Sequence, residues 1–248
     1  MRSPNRLLAA FSDKDYALIA PHLMPTEMVQ RQDIELPNQP FEFIYFPEGG
    51  ISSVVAISGK EKAEANIIGW DGMSGVCVIH GTDRSPLHTF VQVAGAGQRM
   101  EVAHFRAAID ESRSLHATCL LFAEANAIQI AHTALANSRH SIEERLARWI
   151  LMCLDRQNDG ALELTHEFLS LMLGVRRAGV TTALHVLEGG LMIRATRGLI
   201  VVRDRDRLEA VAGDAYGVPE AEYRRLMGRD IGGCAIEKMA RAEIRPGH

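Results

Sequence analysis

The chain has 248 residues, 47% of them hydrophobic and 23% charged, enough for two modest domains with buried cores. Its net charge of −4 excludes a wholly basic protein that coats nucleic acid, but allows one basic face on an acidic body. Four scattered cysteines, Cys77, Cys119, Cys153 and Cys234, form no CxxC pair, and HExxH, GxSxG and P-loop patterns are lacking. No enzyme activity, metal or cofactor is therefore expected. The N-terminus does not read as a signal peptide and no run reads as a membrane span, so the expected location is the cytoplasm.

In chain order, Asn5–His22 reads as helical, with Leu7, Leu8, Phe11, Leu18 and Ile19 free to pack on the β-rich stretch after it. From Glu27 to Met100 the chain holds short β-like runs at Phe41–Phe46, Ile51–Ile57, Ala65–Ile68, Val76–Ile79 and Phe90–Val93. Glycines and prolines punctuate them, a pattern of a sandwich, jelly roll or barrel. A long helix is expected from Ala103 to Ala136, because neither glycine nor proline interrupts Glu101–Asp159. Leu115, Cys119, Phe122, Asn126, Gln129 and Thr133 form one stripe on it; Leu121, Ala125, Ile128, His132 and Leu135 form another. Two stripes need two surfaces, the β domain and a second copy of the chain, and Phe122 is expected in the seam between copies. Ser141 with Glu144 three positions on makes a capping box after a polar hinge, starting a helix over Ile142–Arg156.

Thr165 is a helix N-cap with Glu167 in the first turn, and Phe168, Leu169, Met172 and Leu173 make its apolar face. Gly174 stops that helix, and a second runs over Arg176–Glu188, burying Val180, Ala183, Leu184 and Leu187. Strands at Leu191–Arg194 and Leu199–Arg203 flank Thr196-Arg197-Gly198, completing a winged helix-turn-helix. The polar face left over carries Arg176, Arg177, Thr181, Thr182 and His185, donors suited to phosphates and base edges of a DNA major groove. Arg197, at the wing tip, is a phosphate contact. The tail from Gly217 is expected to add a short helix around Pro219–Leu226 and then fray into solvent. A second reading takes the chain as a cytoplasmic ligand-binding or protein-interaction module with a purely structural helix-turn-helix. The two separate on whether Arg176 and Arg177 stand on an open face.

The order β-rich domain, long helix, hinge and winged helix-turn-helix resembles the Crp/Fnr superfamily of bacterial transcription regulators. The resemblance is most specific over Ser141–Ile150 (SIEERLARWI), Leu164–Thr181 (LTHEFLSLMLGVRRAGVT) and Arg197–Ile200. It implies an α+β protein with a cyclic-nucleotide-binding-like jelly roll over residues 1–110, a dimerisation helix and hinge over 111–140, a DNA-binding domain over 141–215 and a tail over 216–248. It also implies a homodimer on a palindromic operator in double-stranded DNA, RNA polymerase as a partner, and no membrane. Relatives that bind cyclic nucleotide carry a glycine-glutamate pair and, some ten residues on, arginine followed by serine or threonine. Arg84-Ser85 matches the second element and is the candidate effector contact. Met73, however, stands where the glutamate belongs and Pro86 removes an amide, so cyclic AMP is not the expected effector. No cysteine cluster precedes Cys77 to hold an iron–sulfur centre, and the sequence names no effector. In the recognition helix Arg177 keeps the family position, while Ala178 and Thr182 replace an acid and an arginine, implying a different half-site.

Overall fold

A computed structural model describes residues 3–157, 161–196 and 198–232. Helices α1 (Arg6–Ala10) and α2 (Asp13–Ile19) open the chain. Asn5 caps α1 by accepting from Leu8 N–H, and its amide donates to the carbonyls of Pro47 and Gly72, fastening the helix to the β domain. The strands β1 (Met24–Met28), β2 (Asp33–Glu35), β3 (Phe43–Pro47), β4 (Ile51–Ser58), β5 (Glu61–Ile68), β6 (His88–Val93) and β7 (Gly95–Glu101) form two antiparallel sheets, ordered β1-β7-β3 and β2-β6-β4-β5. Strands β1, β2 and β7 lie outside the predicted runs. Val76–Ile79, expected as a strand, is the short helix α3, entered through Gly75 in the left-handed conformation (φ 68°). An apolar run of four residues fits either period, and the turn at its start decides.

The helix expected over Ala103–Ala136 is two: α4 (Val102–Glu111) and α5 (Arg113–Arg139). Ser112 breaks them by capping α5, accepting from Leu115 N–H. Helix α5 also corrects the membrane expectation, since by length and composition its 27 residues could cross a bilayer. Glu124 is its sole acidic residue. One side of α5 packs on its own β domain through Leu115, Cys119, Phe122 and Ala125. Phe122 lies so close over Gly72 that a Cβ there would come within 2.2 Å of its ring, which places Phe122 in the core of the protomer and not in a seam. The opposite side exposes Leu121 and Leu135 with half-buried Ile128 between them, a seven-residue spacing.

The capping box forms: Glu144 N–H donates to Ser141 Oγ at 3.2 Å, and Ser141 N–H donates to the Glu144 carboxylate at 2.6 Å. It starts α6 (Ile142–Leu154), followed by β8 (Ala161–Glu163), α7 (His166–Leu173), α8 (Arg177–Gly189), β9 (Ile193–Thr196), β10 (Leu199–Val202), α9 (Arg205–Ala212) and α10 (Val218–Met227). The wing is a three-stranded sheet ordered β8-β10-β9. Ile51, Val55, Ile67 and Phe90 of the β domain share one apolar core with α6, α7 and α8. The two halves are thus packed together, with Phe90 and Phe168 ring centroids 6.1 Å apart.

As far as Gly232 the tail is packed rather than solvated, and the rest of it, residues 233–248, lies outside the described residues. Pro219, Tyr223 and Met227 of α10 are buried, and Tyr223 Oη donates to Asp71 O at 2.6 Å. Trp70 Nε1 donates to the carbonyls of both Asp155 and Ile231. The apolar spacing of α10 is helical, but its partners lie too far off in sequence to be read locally.

Candidate nucleic-acid interface

Thr165 accepts from Phe168 N–H at 3.3 Å to start α7, and Gly174 at φ 60° ends it. Val175 N–H returns to Ser170 O, closing the turn. Arg176 is the N-cap residue of α8, which buries Val180, Ala183, Leu184 and Leu187 against α6 and α7. That burial fixes the opposite side, leaving Arg176, Arg177, Ala178, Thr182 and His185 exposed. Gly179 permits the close crossing, since a Cβ there would lie 3.1 Å from Ile142 Cδ1.

Of the predicted contacts, Arg176, Arg177, Thr182 and His185 share this open face. Thr181 does not: it is half-buried, with Oγ1 3.2 Å from His166 Nδ1 and donating to Arg177 O. Thr182 Oγ1 likewise donates to Ala178 O, four residues back. Arg177 pairs with Glu167 of α7 at 2.9 Å, both side chains mostly in solvent. At the start of the recognition helix the carboxylate is brought by α7; at its end Glu188 of α8 itself lines a cavity with His185 and accepts from Ala195 N–H. That cavity, of about 680 Å³, lies between the start of α7, the second half of α8 and the wing residues Ala195, Thr196 and Gly198. Arg194 and Arg203 are exposed on the wing. Arg197, the predicted wing contact, lies outside the described residues, as does Cys234.

The candidate effector residues sit elsewhere. Arg84 is exposed and pairs with Asp83 at 3.0 Å, and that hydrogen bond holds the Asp83 carboxyl below its usual pKa. Ser85 Oγ accepts from Leu87 N–H, and Ser85 O from Asn38 N–H. Met73 is fully buried. Gly75 N–H, at the start of α3, donates to the buried Glu35 carboxylate at 2.7 Å. Burial pushes the Glu35 pKa up, against the pull of that amide. Among the described residues no group of three or more His, Cys, Asp or Glu could hold a metal.

Sequence reasoning missed the polar junction between the halves. Arg156, fully buried, donates to Asp71 at 2.7 Å and to Gln129 at 2.6 Å. Burial pulls the Arg156 pKa down, and Asp71 beside it more than restores it. Gln129 in turn donates to Asn66. Glu64 is buried as well, accepting from Ser53 Oγ at 2.7 Å and from Trp149 Nε1 at 2.6 Å. These partners are far apart in the chain, and the one available signal was a carboxylate in the apolar run that ends β5.

Residues 144–211 match the model of the Crp-like helix-turn-helix domain. The chain has the Crp/Fnr regulator fold. FixK2 from Bradyrhizobium japonicum is 16% identical, covers 78% of this chain and 99% of its own, and superposes with a TM-score of 0.66. TTHB099, a CRP-family transcriptional regulator from Thermus thermophilus, is 17% identical over 77% of this chain and 98% of its own, with a TM-score of 0.63. The c-di-GMP-responsive regulator CLP from Xanthomonas campestris is 15% identical over 77% and 99%, with a TM-score of 0.58. No curated protein sequence matches the chain. The Crp/Fnr architecture accounts for the two β sheets, the long α5 and the winged helix-turn-helix in that order.

Proposed function

We propose that the protein is a sequence-specific transcription regulator that binds a palindromic operator in double-stranded DNA as a cytoplasmic homodimer. The observation that carries this reading is the open cationic start of α8, with Arg176 and Arg177 exposed over a fully packed opposite side. Arg177 reads a guanine through O6 and N7, a bidentate contact that fixes one base pair per half-site. Arg176, Thr181, Thr182 and His185 complete the helix contacts, and Arg197 holds phosphate from the wing. The Glu167 pair does not oppose this: two solvated side chains at 2.9 Å separate at little cost and orient Arg177 until then.

The copies meet along Leu121, Ile128 and Leu135 of α5, which carries the two recognition helices to successive grooves. RNA polymerase is the further partner, and the membrane is not one. The effector is not cyclic AMP: buried Met73 supplies no carboxylate for a ribose hydroxyl, and Asp83 already pairs with the arginine that would meet the cyclic phosphate. In-vitro site selection with purified protein tests the whole reading. An enriched palindrome supports it, whereas no enrichment returns the helix-turn-helix to a structural role. Calorimetry with cyclic AMP and cyclic GMP is expected to show no binding at micromolar concentration, and neither nucleotide should change operator affinity.

A further inference from the structure

The two arginines that open α8 are placed differently. Arg176 is exposed, and its side chain has no partner among the described residues. Arg177, one position on, brings Nη2 within 2.9 Å of Glu167 Oε2, with 65% and 76% of the two side chains in solvent. Glu167 is held at that place, because the first turn of α7 is tied on both sides of it. Thr165 caps the turn, His166 Nδ1 lies 3.2 Å from Thr181 Oγ1, and the Phe168 ring packs on Phe90. Consecutive residues of α7, His166 and Glu167, thus meet Thr181 and Arg177, which stand one turn apart on α8. Thr181 Oγ1 closes the set by donating to Arg177 O. A carboxylate at the mouth of a DNA-binding face repels phosphate, so its place beside one arginine and not the other is informative.

We propose that Glu167 is a specificity-determining residue, which withholds Arg177 from phosphate and yields it to guanine. The inference rests on the reading of α8 as a recognition helix. A phosphate replaces the carboxylate by another anion, and leaves Glu167 stranded beside the charged DNA backbone. Guanine offers two neutral acceptors, O6 and N7, matched to the guanidinium fork. There Arg177 gains two hydrogen bonds for the one it loses, and Glu167 faces an uncharged base. The exchange is favourable at guanine and unfavourable at phosphate.

Arg176, without a carboxylate beside it, holds phosphate on any sequence. The two neighbours so divide anchoring from reading. Discrimination then comes from weakening the wrong complex as well as from strengthening the right one.

The test uses fluorescence anisotropy of the full chain on two duplexes of equal length at one salt concentration, the operator found by site selection and a scrambled sequence. Glu167→Gln keeps the size of the side chain and removes its charge. It should tighten binding to the scrambled duplex about three- to tenfold and to the operator by less than about twofold, lowering the specificity ratio. The salt slope on scrambled DNA should steepen by roughly one unit, as Arg177 joins the phosphate contacts. In an Arg177→Ala background the same substitution should leave the ratio unchanged, since the carboxylate acts through that arginine. Equal tightening on both duplexes overturns the proposal and leaves Glu167 as general repulsion of DNA. A fall in the ratio that persists in Arg177→Ala overturns it too, by making Glu167 a base contact in its own right. Wild-type protein that binds both duplexes alike would instead remove the regulator reading, and this inference with it.

Discussion

Two arginine–carboxylate pairs of similar length divide the molecule. At the junction Arg156 meets Asp71 at 2.7 Å with the arginine wholly out of solvent; on α8, Arg177 meets Glu167 at 2.9 Å with both side chains largely in it. The chemistry is the same and the surroundings are opposite. In the interior, water cannot replace a lost partner, so the pair, with Gln129 and the carbonyl of Met152, fixes where α6 sits. On the surface water replaces either partner readily, and the arginine stays available to an incoming ligand. A buried pair thus sets geometry, and an exposed one can be exchanged for a contact with DNA.

The largest effect should come from breaking the buried member. Arg156→Met strands Asp71 in the interior and should cost about 3–5 kcal/mol in urea unfolding, whereas Glu167→Gln should change stability by less than ~0.5 kcal/mol. Equal costs would erase the distinction between the two regions.

Next is the surface that belongs to neither pair. Ile128→Glu puts a charge into the apolar side of α5 and should give monomers in sedimentation, with site-specific DNA binding largely lost. Phe122→Glu should instead unfold the protomer, because Phe122 closes over Gly72. A folded, monomeric Phe122→Glu protein would move the seam.

The exposed member is probed by Arg177→Ala, which should weaken operator binding by about 1–3 kcal/mol and relax preference at one base pair per half-site. Arg197→Ala should weaken all sequences alike and lower the salt slope by roughly one unit. A uniform loss in Arg177→Ala would make it a phosphate contact.

The smallest effect concerns pH at the junction. Burial raises the Glu64 pKa to about 8 in the folded chain, from 4.5 for the free group, so the folded state holds an extra proton between those values. Its contribution to stability is full below about pH 4.5, declines as pH rises, and is flat above about 8. Glu64→Gln should remove that decline, so that its melting temperature falls less than that of wild type as pH rises from 4.5 to 8. Parallel curves for the two proteins would mean that Glu64 is already ionised in the folded state.

What the sequence made legible depends on the range of the interactions. The helix-turn-helix could be read because Thr165, Gly174 and the Ser141–Glu144 box act within a few residues of themselves. The Arg156 network could not, because Asp71 and Gln129 lie 85 and 27 positions away. Strand β7 was hidden by its glycines. A Cβ at Gly95 would lie 2.3 Å from Gly49 O, and one at Gly97 2.6 Å from Phe46 O, so close backbone approach demanded residues that weaken a strand pattern. On α5 the two stripes could be read, but only packing decides which surface Phe122 and Ile128 each face.

The indole of Trp70 adds a constraint of time. Its N–H donates to Asp155 O and to Ile231 O, the second 161 positions later in the chain. A ribosome adding about 5–20 residues per second therefore releases Trp70 roughly 10–30 s before that acceptor exists. The β domain and the helix-turn-helix can each form while translation continues, but this one hydrogen bond across the junction must wait for Ile231. A nascent chain arrested before Ile231 could already close the shared apolar core and the Arg156 pair, but its Trp70 indole would lack that second acceptor.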